Sequence, residues 1–162
     1  MKHILIFLIL ISFVSCQQNL NKDEGIGYTE FINSKILVKS VVDKYPGGQE
    51  KAVVYFLDEN VSQKPVKEIH YLENGNVQVE GTLKNGARHG TWAFYHKNGK
   101  IWSTGEFDMG KSVGEFQIYD KEGQIKFKHY YENNTIVKEE YFLDGKLFKT
   151  VDKSNDTSNK KQ

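Results

Sequence analysis

Residues 71–95 read YLENGNVQVEGTLKNGARHGTWAFY, and residues 95–119 read YHKNGKIWSTGEFDMGKSVGEFQIY. Laid over one another at an offset of 24, Tyr71 falls on Tyr95 and Tyr95 on Tyr119. Asn74-Gly75 falls on Asn98-Gly99, Gly81 on Gly105, Gly86 on Gly110 and Gly90 on Gly114. Trp92 falls on Phe116 and Leu83 on Phe107, and Gly123 continues the series from Gly99. A fixed period of this length marks a repeated supersecondary unit.

Within each unit the glycines mark turns. Asn74-Gly75, Asn85-Gly86 and Asn98-Gly99 are dipeptides that accept positive φ at both central positions of a type I′ hairpin. Met109-Gly110, Glu122-Gly123, Asn133-Asn134 and Asp144-Gly145 occupy equivalent places. Gly75, Gly86, Gly99, Gly110, Gly123 and Gly145 are therefore the expected structural turn positions. Between turns the chain alternates with period two, as half-buried strands do. Val77, Val79, Gly81 and Leu83 share one side, against Gln78, Glu80 and Thr82 on the other. Ile125, Phe127, His129 and Tyr131 repeat the pattern. Trp92, Phe94, Phe116 and Ile118 form one expected apolar row, and Thr91, Ala93, Glu115 and Gln117 face the opposite way.

The fold expected is all-β, an elongated antiparallel β-meander of hairpin repeats of about 24 residues. The repeats proper span 71–150. An N-terminal β cap or degenerate repeat spans 28–70, with strands at Ile36–Val42, Gln49–Leu57 and Val66–Leu72 and a long loop at 60–65. No segment from 28 to 150 shows a sustained 3.6-residue apolar period. Residues 151–162 are polar and read as a disordered tail.

The first residues read as an address. Met1-Lys2-His3 is a basic start, and the eleven-residue run Ile4 to Val14 is too short to span a bilayer, which takes about 20. Charged start, apolar run and small residue together read as a secretory signal over 1–15. Phe13-Val14-Ser15-Cys16 resembles a lipobox, which makes Cys16 the expected lipidation site and residues 16–27 a polar tether. Two acyl chains or more hold a protein firmly where one does not. The expected location is exported and lipid-anchored to the cell envelope, at the outer membrane.

Composition narrows the function classes. The 162 residues carry 22 Lys+Arg against 21 Asp+Glu, without the basic excess of a nucleic-acid binder. A single Cys excludes an intrachain disulfide framework and a Cys-based zinc cluster. A catalytic site needs a nucleophile, a base and a group that orients it. His70, His89, His96 and His129 lie apart in sequence, Ser103 and Ser112 lack a nucleophile-elbow context, and the glycines precede no helix. No catalytic residue, cofactor or metal site is expected. From Lys84 to Lys100 the chain holds Lys84, Arg88, His89, His96, Lys97 and Lys100 with no acid, interleaved with Trp92 and Tyr95. That set is the candidate binding surface, suited in an exported protein to anionic headgroups or an acidic partner.

The repeat residues Tyr71, Asn74-Gly75, Glu80-Gly81, Lys84-Asn85-Gly86, His89-Gly90, Trp92 and Tyr95 resemble the MORN-type repeat in its bacterial variant form. The second copy keeps Asn98-Gly99, Gly105, Phe107, Gly110, Gly114, Phe116 and Tyr119, and replaces Glu80 by Thr104 and His89 by Val113. The resemblance covers roughly residues 45 to 148 and implies a hairpin-repeat sheet. Similar chains often carry the name YwqK-family antitoxin, and many in Bacteroidetes begin with a lipoprotein signal. Two functions follow as expectations. One is a non-enzymatic, lipid-anchored envelope protein whose repeat sheet binds a protein or glycolipid partner. The other is an antitoxin or immunity-type protein that neutralises a toxin by direct binding.

Overall fold

The computed structural model describes residues 25–57 and 64–154. The signal over 1–15, Cys16 and most of the tether lie outside them, as does most of the expected 60–65 loop. A helix, α1 (Gly25–Asn33), precedes ten strands: β1 (Leu37–Lys44), β2 (Glu50–Leu57), β3 (Lys67–Tyr71), β4 (Val77–Lys84), β5 (Ala87–Tyr95), β6 (Ile101–Asp108), β7 (Lys111–Tyr119), β8 (Ile125–Glu132), β9 (Thr135–Leu143) and β10 (Lys146–Asp152). The strands form a single sheet in the order β1 to β10, each antiparallel to the next. The all-β meander expected from the repeat is therefore the fold. Bulges and lysines mark both open edges, at Val41/Asp43 with Lys39 and Lys44 in β1 and at Leu147/Lys149 in β10, devices that discourage edge-to-edge pairing.

The turns are of two kinds, which corrects the expectation of type I′ geometry throughout. On one rim the hairpins are two-residue type I′ loops, with both φ positive at Asn85-Gly86, Met109-Gly110 and Asn133-Asn134. On the other rim only the glycine is left-handed. Gly75 N donates to Leu72 O at 2.9 Å, Gly99 N to His96 O at 2.9 Å and Gly123 N to Asp120 O at 3.0 Å. These are type I turns closed by a left-handed glycine, followed in the next strand by a bulge at Gln78, Trp102 and Lys126, opposite Tyr71, Tyr95 and Tyr119. In the longer loops the asparagine side chain finds a local partner. Asn74 Oδ1 accepts the Asn76 amide and Asn98 Oδ1 the Lys100 amide, each at 3.1 Å, a local bond that holds Asn74 and Asn98 at negative φ. Short and long loops on alternating rims explain why the turns fall 11 and then 13 residues apart. Asp144-Gly145 returns to the two-residue form on the long-loop rim, so the last unit is two residues shorter.

Gly99 sits at φ +83° with no side chain closer than 3.9 Å, so its requirement is conformational. Gly99→Val is expected to cost about 1–3 kcal/mol, and Gly99→Asn less because Asn tolerates the left-handed region. Denaturant midpoints check this. Unchanged midpoints for Gly99→Val and Gly123→Val would contradict the turn assignment.

Helix α1 corrects the tether and the all-strand cap, for the tether's last three residues and Tyr28–Asn33 are helical. A single helix of nine residues holds too few apolar positions to register as a period, and it is stabilised by docking rather than by propensity. Tyr28 Oη donates to Leu83 O at 2.9 Å, Thr29 Oγ1 accepts the Thr91 amide at 2.9 Å and lies 3.2 Å from Thr82 Oγ1, and Ile32 is fully buried. Thr82, expected on the solvent side, is buried because the helix covers that side. Val53 and Ile69, cross-strand partners on the same side, are buried as well. The tail boundary also moves, since Val151 and Asp152 belong to β10.

The opposite side carries the aromatic core. Leu83, Trp92, Phe107 and Phe116 form a buried cluster with Val79, Phe94 and Tyr131 against it. Trp92 and Phe107 meet edge to face at 6.1 Å, Phe107 and Phe116 at 5.5 Å, and Phe116 and Tyr131 at 4.8 Å. Trp92 Nε1 donates to Thr82 O at 2.9 Å, and the Arg88 guanidinium lies 4.2 Å above its ring.

Candidate functional site: an open aromatic groove

The core is built by a pairing the repeat encodes. Gly81 opposes Trp92 across β4 and β5, and the indole lies flat against the glycine, where a Cβ would stand 2.2 Å from ring carbon. One repeat on, Phe116 lies against Gly105, where a Cβ would stand 2.3 Å from the ring. At the next step the glycine position is His129, directly opposite Phe116, and its partner in β9, where the covering ring would stand, is Glu139. Among the described residues no ring closes over β8, so the row ends at Phe116 and leaves a groove of about 340 Å³. Phe94, Trp102, Phe116, Ile118, Phe127 and Tyr131 line it, with Ser103 and His129 as polar points. Trp102 remains 48% exposed and Phe127 37%. Rings continue past it along the same side, with Phe127 on Tyr141 at 5.4 Å and Tyr141 on Phe148 at 6.3 Å, where Phe148 is 62% exposed.

One end of the groove is charged. Glu139 is buried, accepts Tyr141 Oη at 3.0 Å and Lys153 Nζ at 2.9 Å, and stands 3.8 Å from His129 Nε2. The Lys153 ammonium holds the Glu139 carboxyl below the usual carboxylate range. Burial pushes the His129 imidazole below its ordinary value, against the pull of Glu139. On the helix side, beyond α1, tyrosines meet carboxylates instead. Tyr95 Oη donates to Glu80 at 2.7 Å, and burial, then Glu80, push its pKa up to about 12. Tyr130 is likewise pushed up to about 12 by burial, then by Glu115 and Glu140.

These shifts fix a pH dependence. His129 binds its proton less readily folded than unfolded, so its contribution is present above about pH 6.5 and is lost as pH falls. Glu115, Glu139 and Glu140 have lowered values, and their contribution disappears as pH falls further, through their folded values. The urea midpoint is expected to drop between about pH 7 and 5, and His129→Gln to flatten that part of the curve. A midpoint that rises on acidification would contradict the burial of His129.

The sequence-derived binding set does not form one surface. Trp92 is 1% exposed and His89 2%, so both are interior. His89 is covered by the edge of the Tyr28 ring at 5.1 Å, and its Nδ1 lies 3.3 Å from Asp108 Oδ1. Lys84 and Arg88 stand toward the short-loop rim, whereas His96, Lys97 and Lys100 stand on the long-loop rim. Tyr95 belongs to the helix side. His89 and His96 lie at opposite ends of β5, so the pair is not brought together. Among the described residues no three His, Cys, Asp or Glu side chains cluster as metal ligands would. Trp102, Phe127 and Tyr131 were absent from the set. The alternation of Phe127, His129 and Tyr131 was legible, but not the missing ring above them.

The model of the MORN repeat variant matches residues 66–85, 88–109, 112–133 and 126–144. The chain carries MORN repeats. The MORN segments begin at 66, so they take in β3 as well as the strands after Tyr71. No curated protein matches the sequence. Among solved structures, the chain is similar to a chain of a glycosylation associate protein complex from Streptococcus agalactiae, at 13% identity and TM-score 0.43, over 65% of this chain and 18% of that one. It is also similar to TarM, at 10% identity and TM-score 0.35, over 83% of this chain and 24% of that one. A mutant of S. aureus TarM in complex with fondaparinux, alpha-GlcNAc-glycerol and UDP gives 12% and 0.34, over 82% and 23%. The chain thus spans about a fifth of the length of these structures.

Proposed function

We propose that this MORN-repeat chain is a non-enzymatic binding protein that meets a protein or glycolipid partner with its aromatic face, held at the envelope through Cys16. One observation carries the reading. A single sheet can shelter its apolar side by recruiting its own N-terminal segment, and here α1 covers the other side. The groove from Phe94 to Phe127 stays open, and an exposed aromatic patch flanked by polar residues is the usual mark of an interaction site. The anchoring part rests on the run Ile4 to Val14 and on the placement of the only cysteine.

Photo-crosslinking in intact cells tests the binding face. A photoreactive residue at Phe127 is expected to give a discrete adduct that Trp102→Ala weakens, and one at Gln117, on the helix side, to give none. Adducts of equal yield from both positions, or from Gln117 alone, would overturn the reading. For the anchor, the chain is expected in the detergent phase on phase separation, with Cys16→Ser left in the aqueous phase or unprocessed. Equal partitioning of the two forms would refute lipidation.

A further inference from the structure

We propose that the gap between two stacked turns on the long-loop rim is an oxyanion site that takes a phosphate group. This site is separate from the aromatic groove and does not depend on it. The turns are 96–100, between β5 and β6, and 120–124, between β7 and β8. Lys97 and Lys121 hold the same place in successive repeats, two strands apart, which sets their backbones about 10 Å apart at one strand per ~4.8 Å. Both lysines line the same cavity, and a flexible four-carbon stem lets each ammonium swing toward one anion between them. The position one repeat earlier is Glu73, and the one after is Gly145. The repeat therefore puts lysine at this position in two successive units, and only in these two.

The framework around them is fixed. Asn98 Nδ2 donates to Lys121 O at 3.0 Å, Lys100 Nζ to Glu122 O at 3.0 Å, and the His96 Nε2–H to Tyr119 O at 3.0 Å. Together His96, Lys97, Asn98 and Lys121 line a cavity of about 420 Å³, room for a phosphate with a small ester substituent. The nearby acids leave the lysines uncompensated. Asp120 is engaged by Lys126 at 3.2 Å and by the Glu122 and Gln124 amides at 3.1 and 2.8 Å. Glu122 stands on the turn of Lys121, yet its ion pairing with either lysine is absent among the described residues. Two unpaired ammonium groups one repeat apart repel each other, and a bound oxyanion reverses the sign of that interaction.

The test is an amide NMR titration of the full chain with inorganic phosphate and with glycerol phosphate, at ionic strength held constant with sodium chloride. Saturable shifts are expected at the Gly99 and Gly123 amides. Lys97→Gln and Lys121→Gln should each weaken the affinity by about tenfold, while Lys146→Gln, an exposed lysine of the next turn, should leave it unchanged. A second arm floats the chain with vesicles of phosphatidylcholine and of equal parts phosphatidylcholine and phosphatidylglycerol. Dependence on Lys97 with the soluble esters alone assigns a soluble phosphate ligand, and dependence on Lys97 with the anionic vesicles assigns a lipid headgroup. Both results support the site. Shifts that chloride reproduces, or that survive in Lys97→Gln and Lys121→Gln, would overturn it.

Discussion

Trp92→Ala is expected to destabilise the chain by about 3–5 kcal/mol, the range for removing a buried aromatic. Trp92 is 1% exposed, rests on Gly81, touches the Phe107 ring, carries the Arg88 guanidinium and donates to Thr82 O. Removing it opens a cavity between β4 and β6 and leaves a buried carbonyl short of a donor. Trp102→Ala provides the contrast, because a half-exposed ring at the groove contributes far less, about 0.5 kcal/mol for an ordinary surface change. Urea unfolding followed by circular dichroism separates the two. Equal losses would place both tryptophans in the same environment and contradict the distinction between core and groove.

Gly81→Ala is expected to cost about 1–3 kcal/mol through overpacking, although alanine suits a strand no worse than glycine. The added Cβ would stand 2.2 to 2.4 Å from Trp92 ring atoms, so the indole or the β5 backbone must move. Gly105→Ala repeats the experiment against Phe116, with a Cβ 2.3 to 2.4 Å from the ring. Combining Gly81→Ala with Trp92→Leu should cost less than the two separate losses together, because the clash disappears with the ring. Strict additivity would show that the glycine matters for some reason other than the ring above it.

The Gly–aromatic pairing shows what a repeat sequence makes legible and what it hides. The period, the strand alternation and the positions of the turn glycines were all readable, because each follows from local chemistry at a fixed offset. Register followed too, since Val79, Phe94, Ser103, Ile118 and Phe127 are successive cross-strand partners. The turn types did not, because the same Asn-Gly dipeptide serves a two-residue loop at Asn85 and a longer one at Asn98. Loop length, rather than the dipeptide, decides between them. Helix α1 was hidden for another reason. Its anchors Tyr28 and Thr29 find partners at Leu83, Thr82 and Thr91, more than 50 residues away, and no local pattern records such a contact.

The candidate site was the least legible part. The basic stretch from Lys84 to Lys100 is continuous in sequence, but the length of β5 sends its ends to opposite rims, Trp92 to the interior and Tyr95 to the helix side. Lys121, which completes the cationic gap with Lys97, lies outside that stretch and is found only by carrying the repeat offset forward. Groove residues Phe127 and Tyr131 looked like ordinary inner-face positions. Their exposure follows from the replacement of a glycine by His129 and of a covering ring by its partner Glu139, a departure visible only against the two complete repeats.

Iodide quenching of single-tryptophan chains is the most direct test of a sheet whose aromatic side is core at one end and open groove at the other. A Trp102→Phe chain reports Trp92 alone, and a Trp92→Phe chain reports Trp102 alone. Trp92 is expected to be shielded from iodide while Trp102 is quenched readily in the same folded protein. Free quenching of Trp92 would contradict the buried row, and shielding of Trp102 to the same degree would show that the groove is already covered.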